Sequence, residues 1–345
     1  MKRKSEQEIM VASRPEDIFT MDLDVITEEK EAYLEAFKPK EYRKIKDFVI
    51  TKKVLLLYSQ AITILQDNKN NKISKAVCIK SIKGQEYKIH YTHHSSFRLG
   101  EMYITKDYIV YIVKGEYRKY YENYIEKTKN YSKPDKKIWD MVEYMLPNVE
   151  RHFECEEGNF AIFVKKPCEI YSLREILEYF EGKLKPEYVA SILTRLYYFT
   201  CYMGLVEMNH NALTVDNLFF APGREVEEGE SYTLHDMRIV GVYGGWFFTT
   251  YLEEKMQGVP KQVYEVMPNE CKKRGYSSFE VDELAIKSLA KELLGTEIES
   301  TPKPFFDWVN TNKVARDAYE EFCNWKKVIK SSFGAVRFVN MDVSI

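Results

Sequence analysis

The sequence predicts an α+β chain of two lobes, a small antiparallel β lobe followed by a larger helical lobe. Two observations carry this. Residues 74–114 hold short runs of β-branched and aromatic residues separated by turn signals, the pattern of strand hairpins. After residue 166 the apolar positions recur mostly at spacings of three and four, the pattern of helices.

The elements follow in order. Residues 1–26 are polar and aperiodic and read as a flexible tail. Residues 27–72 read as a helical extension. Thr27 opens it with an acidic first turn, which suits the positive end of a helix dipole, and Pro39 interrupts it. Ile45, Phe48, Val54, Leu55, Ile62 and Leu65 then line one helical face, and a run of Asn, Asp and Lys ends it. The β lobe is expected over 73–165. One hairpin turns at Gly84 and a second at Lys106-Asp107, with helical stretches at 117–131 and 135–145 and a buried strand at 160–164. The helical lobe is expected over 166–333, with residues 164–168 as the hinge. Its long helix begins at Pro186, where the missing N–H would be unpaired anyway. Residues 334–345 form a C-terminal tail.

Composition excludes several classes. The net charge of −2 argues against a nucleic-acid binder working by bulk electrostatics, and the basic residues of 114–137 are diluted by Glu and Asp. The six cysteines form no C-x-x-C pair, which points to a reducing compartment and no zinc site. His90, His93 and His94 lack acidic or cysteine partners at ligand spacing and read as a polar strand end or loop. The longest apolar run, 54–58, is far too short to span a bilayer, and the N-terminus lacks the apolar stretch of a signal peptide. A cytoplasmic protein without membrane or nucleic-acid partners is expected.

One stretch carries a chemical signature. Residues 210–219 read His-Asn-Ala-Leu-Thr-Val-Asp-Asn-Leu-Phe after a long helix. This resembles the catalytic loop H-R-D-L-x-x-x-N of protein kinases. His210, Leu213 and Asn217 match, Asn211 stands at the Arg position and Ala212 at the catalytic Asp. Other segments fall in the same order. Residues 111–114 (Tyr-Ile-Val-Lys) resemble the V-A-I-K strand, with Lys114 as its lysine. Residues 146–149 (Leu-Pro-Asn-Val) resemble the turn that leaves the αC helix, which places that helix at 135–145 and its glutamate near Asp135 or Asp140. Tyr171-Ser172-Leu173 resembles the helix start after the hinge, residues 258–268 the end of an activation segment, and Asp282 the helix residue that anchors the catalytic loop.

What the resemblance implies is a degenerate member, a pseudokinase. The family's catalytic Asp accepts the substrate hydroxyl proton, and general-base help is worth ~10²–10⁴ in rate. The D-F-G metal ligand has two registers. Tyr243-Gly244-Gly245 would lose the Asp, whereas Asp236-Met237-Arg238 would keep it. Only Gly84 stands where a phosphate-covering glycine loop is expected. No catalytic residue and no metal site are therefore expected, with His210, Asn211, Ala212 and Asn217 forming a degenerate loop. Lys114, Asn217 and Asp236 are vestigial or alternative-register nucleotide positions, with no cofactor or at most weak ATP binding. The expected role is an interaction or scaffold module for a protein partner. The alternatives are a divergent kinase or nucleotide transferase using Asp236 and Asn217 with a metal, and a structural protein. The segment 38–48 and the terminal residues 338–345 also resemble proteins of tailed bacteriophages, which implies a bacterial host cytoplasm or a virion.

Overall fold

Burial on both faces explains the centre of the sheet. The strand Tyr108–Val113 reads Tyr-Ile-Val-Tyr-Ile-Val. Ile109, Tyr111 and Val113 point into the main core, while Val110 and Ile112 pack into a second cluster on the opposite face with Ile89 and Phe163. The computed structural model describes residues 75–166, 170–220 and 240–334. The tail at 1–26, the extension at 27–72, Asp236 and residues 335–345 lie outside the described residues.

Six antiparallel strands form the sheet: β1 (Lys75–Lys80), β2 (Glu86–Phe97), β3 (Gly100–Thr105), β4 (Tyr108–Val113), β5 (Asn148–Glu154) and β6 (Phe160–Lys165), in spatial order β1-β2-β3-β4-β6-β5. β2 is twice the length of its neighbours. Its first half pairs with β1 and its second half with β3, with a register irregularity between Tyr91 and His93. His90, His93 and His94 therefore sit within a continuous strand, not at a strand end or in a loop. The irregularity inserts a residue and breaks the alternation on which a sequence reading depends.

Two helices lie between β4 and β5: α1 (Arg118–Lys129) and α2 (Lys136–Val142). Asp135 caps α2, accepting the Ile138 N–H at 2.9 Å. The helical lobe holds α3 (Leu173–Tyr179), α4 (Pro186–Leu205), α5 (Lys261–Val266), α6 (Asn269–Arg274), α7 (Phe279–Leu294), α8 (Lys303–Asn310) and α9 (Ala318–Phe333). α3 starts on a reciprocal cap. Ser172 Oγ accepts the Glu175 N–H at 3.1 Å and Glu175 Oε2 accepts the Ser172 N–H at 2.9 Å. α4 and α7 are buried over most of their length. The far end of the lobe closes with Tyr197, Phe305, Trp308 and Trp325 in ring contact.

Between α4 and α5 run short ladders. β7 (Tyr171–Ser172), β9 (Phe219–Phe220) and β10 (Val240–Gly241) form one, while β8 (Met208–Asn209) pairs with β11 (Thr250–Tyr251). They hold residues 210–217 between the helical lobe and the sheet. No helix among the described residues is long and apolar enough to cross a membrane.

Candidate functional site

The loop at 210–217 is built on a buried carboxylate. Asp282, in the first turn of α7, accepts the backbone N–H of His210 through Oδ2 and that of Asn211 through Oδ1, each at 2.7 Å. Burial pushes its carboxyl up to about 6, against the two N–H groups that favour the anion. The anchoring role expected of Asp282 is thus visible in its contacts. His210 has no exposure. Its imidazole stands edge-on to Phe199 and Trp246, and Nε2 lies 3.1 Å from the Gly244 carbonyl. Burial lowers its pKa to about 3, so the ring is neutral and donates to that carbonyl.

Asn211 takes the left-handed conformation (φ 62°), which Asn tolerates better than most residues. Nδ2 donates to the carbonyls of Asn209 (3.3 Å) and Phe248 (2.9 Å) and to Thr250 Oγ1 (2.9 Å). Oδ1 accepts from Ser277 Oγ. A neutral amide with every group used therefore joins the loop to the segment at 248–250.

Ala212 is fully buried. Its Cβ faces Gly245, and a Cβ built on Gly245 would meet it at 2.7 Å. The methyl group is not part of the cavity wall described below. Asn217 does line the cavity. Its Nδ2 donates to the Ala212 carbonyl (3.0 Å) and Thr214 Oγ1 (3.1 Å), which closes the loop on itself. The Gly244 N–H donates to the Asn217 carbonyl at 3.1 Å. A Cβ on Gly244 would lie 2.8 Å from both Cα and Oδ1 of Asn217. Gly244 is therefore the residue whose side-chain direction meets Asn217. Tyr243 turns away, and its hydroxyl donates to the Tyr144 carbonyl at 2.6 Å. The neighbouring carboxylate, Asp216, is held by Arg174 through two bonds of 2.8 and 3.0 Å.

The side chain that enters the cleft from β4 is Tyr111. Lys114 lies beyond the strand end, exposed, with its N–H on the Leu99 carbonyl at 2.9 Å. It is absent from the cavity wall. The reason is strand parity: residues 109, 111 and 113 share the inner face. The 243–248 segment is held mainly by α1, while the end of the expected stretch at 135–145 meets it only through the carbonyls of Tyr144 and Met145, which accept from the Tyr243 hydroxyl and the Val242 N–H. Tyr124 Oη donates to the Tyr243 carbonyl at 2.8 Å. Asn123 Nδ2 donates to the carbonyls of Trp246, Phe247 and Thr249 at 2.9–3.3 Å. Lys127 reaches Glu254 at 2.8 Å and lies 3.7 Å from the Tyr251 ring centre. These residues share one face of α1 by the three- and four-residue spacing of a helix. Asp135 and Asp140 have no part in this contact. Sequence reasoning missed Asn123, Tyr124 and Lys127, because polar residues that bind backbone carbonyls or one distant side chain follow no motif.

The turn over the cleft is also different from expectation. Gly84 closes the remote β1–β2 hairpin in open space. The β2–β3 turn faces the cleft, and it is short, with only Arg98 and Leu99 between the strands. Among the described residues no extended glycine loop covers the space beneath it.

That space is a cavity of about 760 Å³. β2 and β3 roof it, residues 214–217 and α3 form one side, and residues 256–262 form the other. His93 of β2 reaches Glu175 of α3 at 3.0 Å and so joins sheet to helical lobe at the cavity edge. Aromatic side chains fill the depth, with Tyr111 edge-on to Phe97 and Phe247. The residues expected to handle a nucleotide are therefore brought together only in part. Asn217 is at the cavity, Ala212 is sealed behind it, Lys114 is outside it, and Asp236 lies outside the described residues. Among the described residues no group of three or more His, Cys, Asp or Glu is placed to hold a metal ion. Among the described residues, the only carboxylate on the cavity wall beside Asn217 is Asp216, which Arg174 holds.

No family model matches the chain, and no curated protein matches it. Solved structures do match. One, described as the structure of vaccinia related kinase 3, aligns with a TM-score of 0.50 at 11% identity, over 81% of this chain and 95% of that one. Identity this low speaks to architecture alone. The chain has a two-lobed protein-kinase-like α+β fold.

Proposed function

We propose that this chain is a kinase-like protein without phosphoryl-transfer activity that works as an interaction or scaffold module for another protein. The observation that carries the reading is the pair of positions facing the loop. Ala212 stands where the family has its base, packed against Gly245. Gly244, with no side chain, faces Asn217. Phosphoryl transfer depends on positioning and on neutralising charge. A methyl group and a glycine supply neither. The short β2–β3 turn offers no cradle of backbone donors for phosphates, and Tyr111 in place of a lysine offers no positive charge.

The contacts between lobes support the scaffold role. Asn123, Tyr124 and Lys127 fix α1 to the segment below it through protein groups alone. The relative placement of the lobes then needs no nucleotide, which suits a surface presented to a partner.

A thermal-shift titration with ATP, with and without Mg²⁺ or Mn²⁺, tests the reading. A ligand at one hundred times its dissociation constant stabilises the fold by about 2.7 kcal/mol. The expected result is no metal-dependent shift at millimolar ATP. A clear shift that disappears in Asp236→Ala would favour a divergent enzyme using Asp236 and Asn217 with a metal.

A further inference from the structure

α9 is fastened to the helical lobe by charge as well as by packing. It lays Phe322 and Trp325 against the ring of Tyr197 in α4, contacts that do not change with pH. Beside them lie two carboxylates and one ammonium. Glu283 and Lys287 stand one turn apart on α7, and Glu321 stands on α9. The three residues are 0%, 3% and 3% exposed, so water does not screen them.

Lys287 donates to the carbonyls of Thr311 and Lys313, at 3.3 and 2.6 Å, and stands 4.0 Å from Glu321 Oε1. Glu321 accepts from Trp308 Nε1 at 3.2 Å and from the Ala315 N–H at 2.9 Å, which uses both its oxygens. Glu283 accepts from the Tyr197 hydroxyl through Oε1. Its Oε2 is buried and has no hydrogen-bond partner among the described residues.

The charges do not balance. With both carboxylates ionised, one cation faces two anions in a site closed to water. The groups around them do not correct this. Asp282 on α7 adds negative field at Glu283, and Lys291 on α7 acts against the charge of Lys287. Burial pushes the Cys201 thiol on α4 up to about 12, so it stays neutral. α8 contributes the uncharged Trp308. A buried charge without a full complement is costly, and the group gives up its charge instead. Glu283 is the carboxylate with an unused oxygen. Burial, reinforced by Glu321, pushes its carboxyl up to about 8, against the Tyr197 hydroxyl and the Lys287 ammonium, which favour the anion.

We propose that Glu283 is a proton-held latch for α9, closed while the carboxyl keeps its proton and released when that proton passes to water. With the proton bound, one carboxylate and one ammonium remain and the cluster is neutral. When α9 lifts, water reaches Glu283 and hydrates its anion, so opening is coupled to loss of one proton. The folded value lies above the unfolded one. The latch is therefore complete below the unfolded value of roughly 4.3, weakens as pH rises, and is spent above about 8. Acid locks the helix, and neutral pH loosens it.

Hydrogen exchange of the full chain from pH 5 to 9, corrected for intrinsic rates, tests the latch. The opening constant of α9 amides should rise about three- to tenfold per pH unit up to about 8 and then level off. Amides at the centre of α4 should not follow this slope. Glu283→Gln keeps the shape and the acceptor for Tyr197 and holds no titratable proton. It should protect α9 more than the parent at pH 7.5 and abolish the slope. Tyr197→Phe keeps the ring packing and removes a donor that favours the anion, so the levelling point should move to higher pH. An α9 slope that is the same in parent and Glu283→Gln would overturn the proposal. So would a slope shared equally by α4 and α9, which would place the proton in global unfolding.

Discussion

Asp282 holds His210 by the main chain, its Oδ2 accepting the His210 N–H at 2.7 Å, and the two buried groups respond to acid in opposite senses. Burial raises the Asp282 carboxyl to about 6. Its stabilising effect is complete below the unfolded value of roughly 4 and is lost as pH rises through about 6. Burial lowers His210 to about 3. Its effect is complete above the unfolded value of roughly 6.5 and is lost as pH falls toward about 3. Between these limits the two slopes oppose each other. Asp282→Asn removes one of them. Urea unfolding from pH 4 to 6.5 should therefore show stability rising more steeply with pH in the variant than in the parent, beneath a general loss from the broken hydrogen bond. Parallel curves would reject the pairing.

Asn211 should be among the least replaceable polar residues. Asn211→Ala removes bonds to Asn209, Phe248, Thr250 and Ser277 and keeps the left-handed backbone. The expected cost is roughly 2–4 kcal/mol by chemical denaturation. Asn211→Gly should cost about 1 kcal/mol less, because glycine accepts the positive φ without strain. Equal costs would show that the backbone conformation contributes nothing.

Restoring the family's carboxylates should not restore chemistry. Ala212→Asp places a carboxylate in a fully buried site against Gly245, at a cost of about 3–5 kcal/mol. Gly244→Asp drives a Cβ within 2.8 Å of the Asn217 main chain, where overpacking costs about 1–3 kcal/mol. Radiolabelled phosphate transfer should stay at background in either single variant and in the double. A gain of orders of magnitude from Ala212→Asp, lost again on adding Asp236→Ala, would refute the inactive reading.

The Lys127 contact is expected to hold the 250–254 segment. Its ammonium is almost wholly buried between Glu254 and the Tyr251 ring. Lys127→Met keeps most of the apolar stem and removes the charge. Hydrogen exchange should quicken at residues 250–254 and remain unchanged in α7. Uniform exchange in parent and variant would show that the ion pair does not order the segment.

Much of the architecture was legible because it rests on period and order. The apolar β-branched and aromatic run of β4 and the proline opening α4 both leave marks in composition. So does the loop at 210–217, where His210, Leu213 and Asn217 keep a fixed spacing. What escaped depends on direction in space. Tyr111 and Lys114 differ by three residues, and only strand parity decides that the tyrosine faces the cleft. Tyr243 and Gly244 are adjacent, and only the Cα–Cβ vector decides which meets Asn217. The helix α1 was legible at 117–131, but its role was not, because most of its contacts end on carbonyl groups, which every residue has.

The neutral clamp of Asn211 has a consequence for control. A switch needs two states of similar free energy and a signal that favours one of them. An arginine beside the segment would supply such a signal path, since its charge meets a phosphate when one is added and is left unmatched when it is removed. An amide with every donor and acceptor already used has one low-energy arrangement. Neither ionic strength nor a protonation change of the clamp itself alters it. The segment at 248–250 is thus set once, at folding, and a phosphate placed beside the clamp would find no charge there to meet.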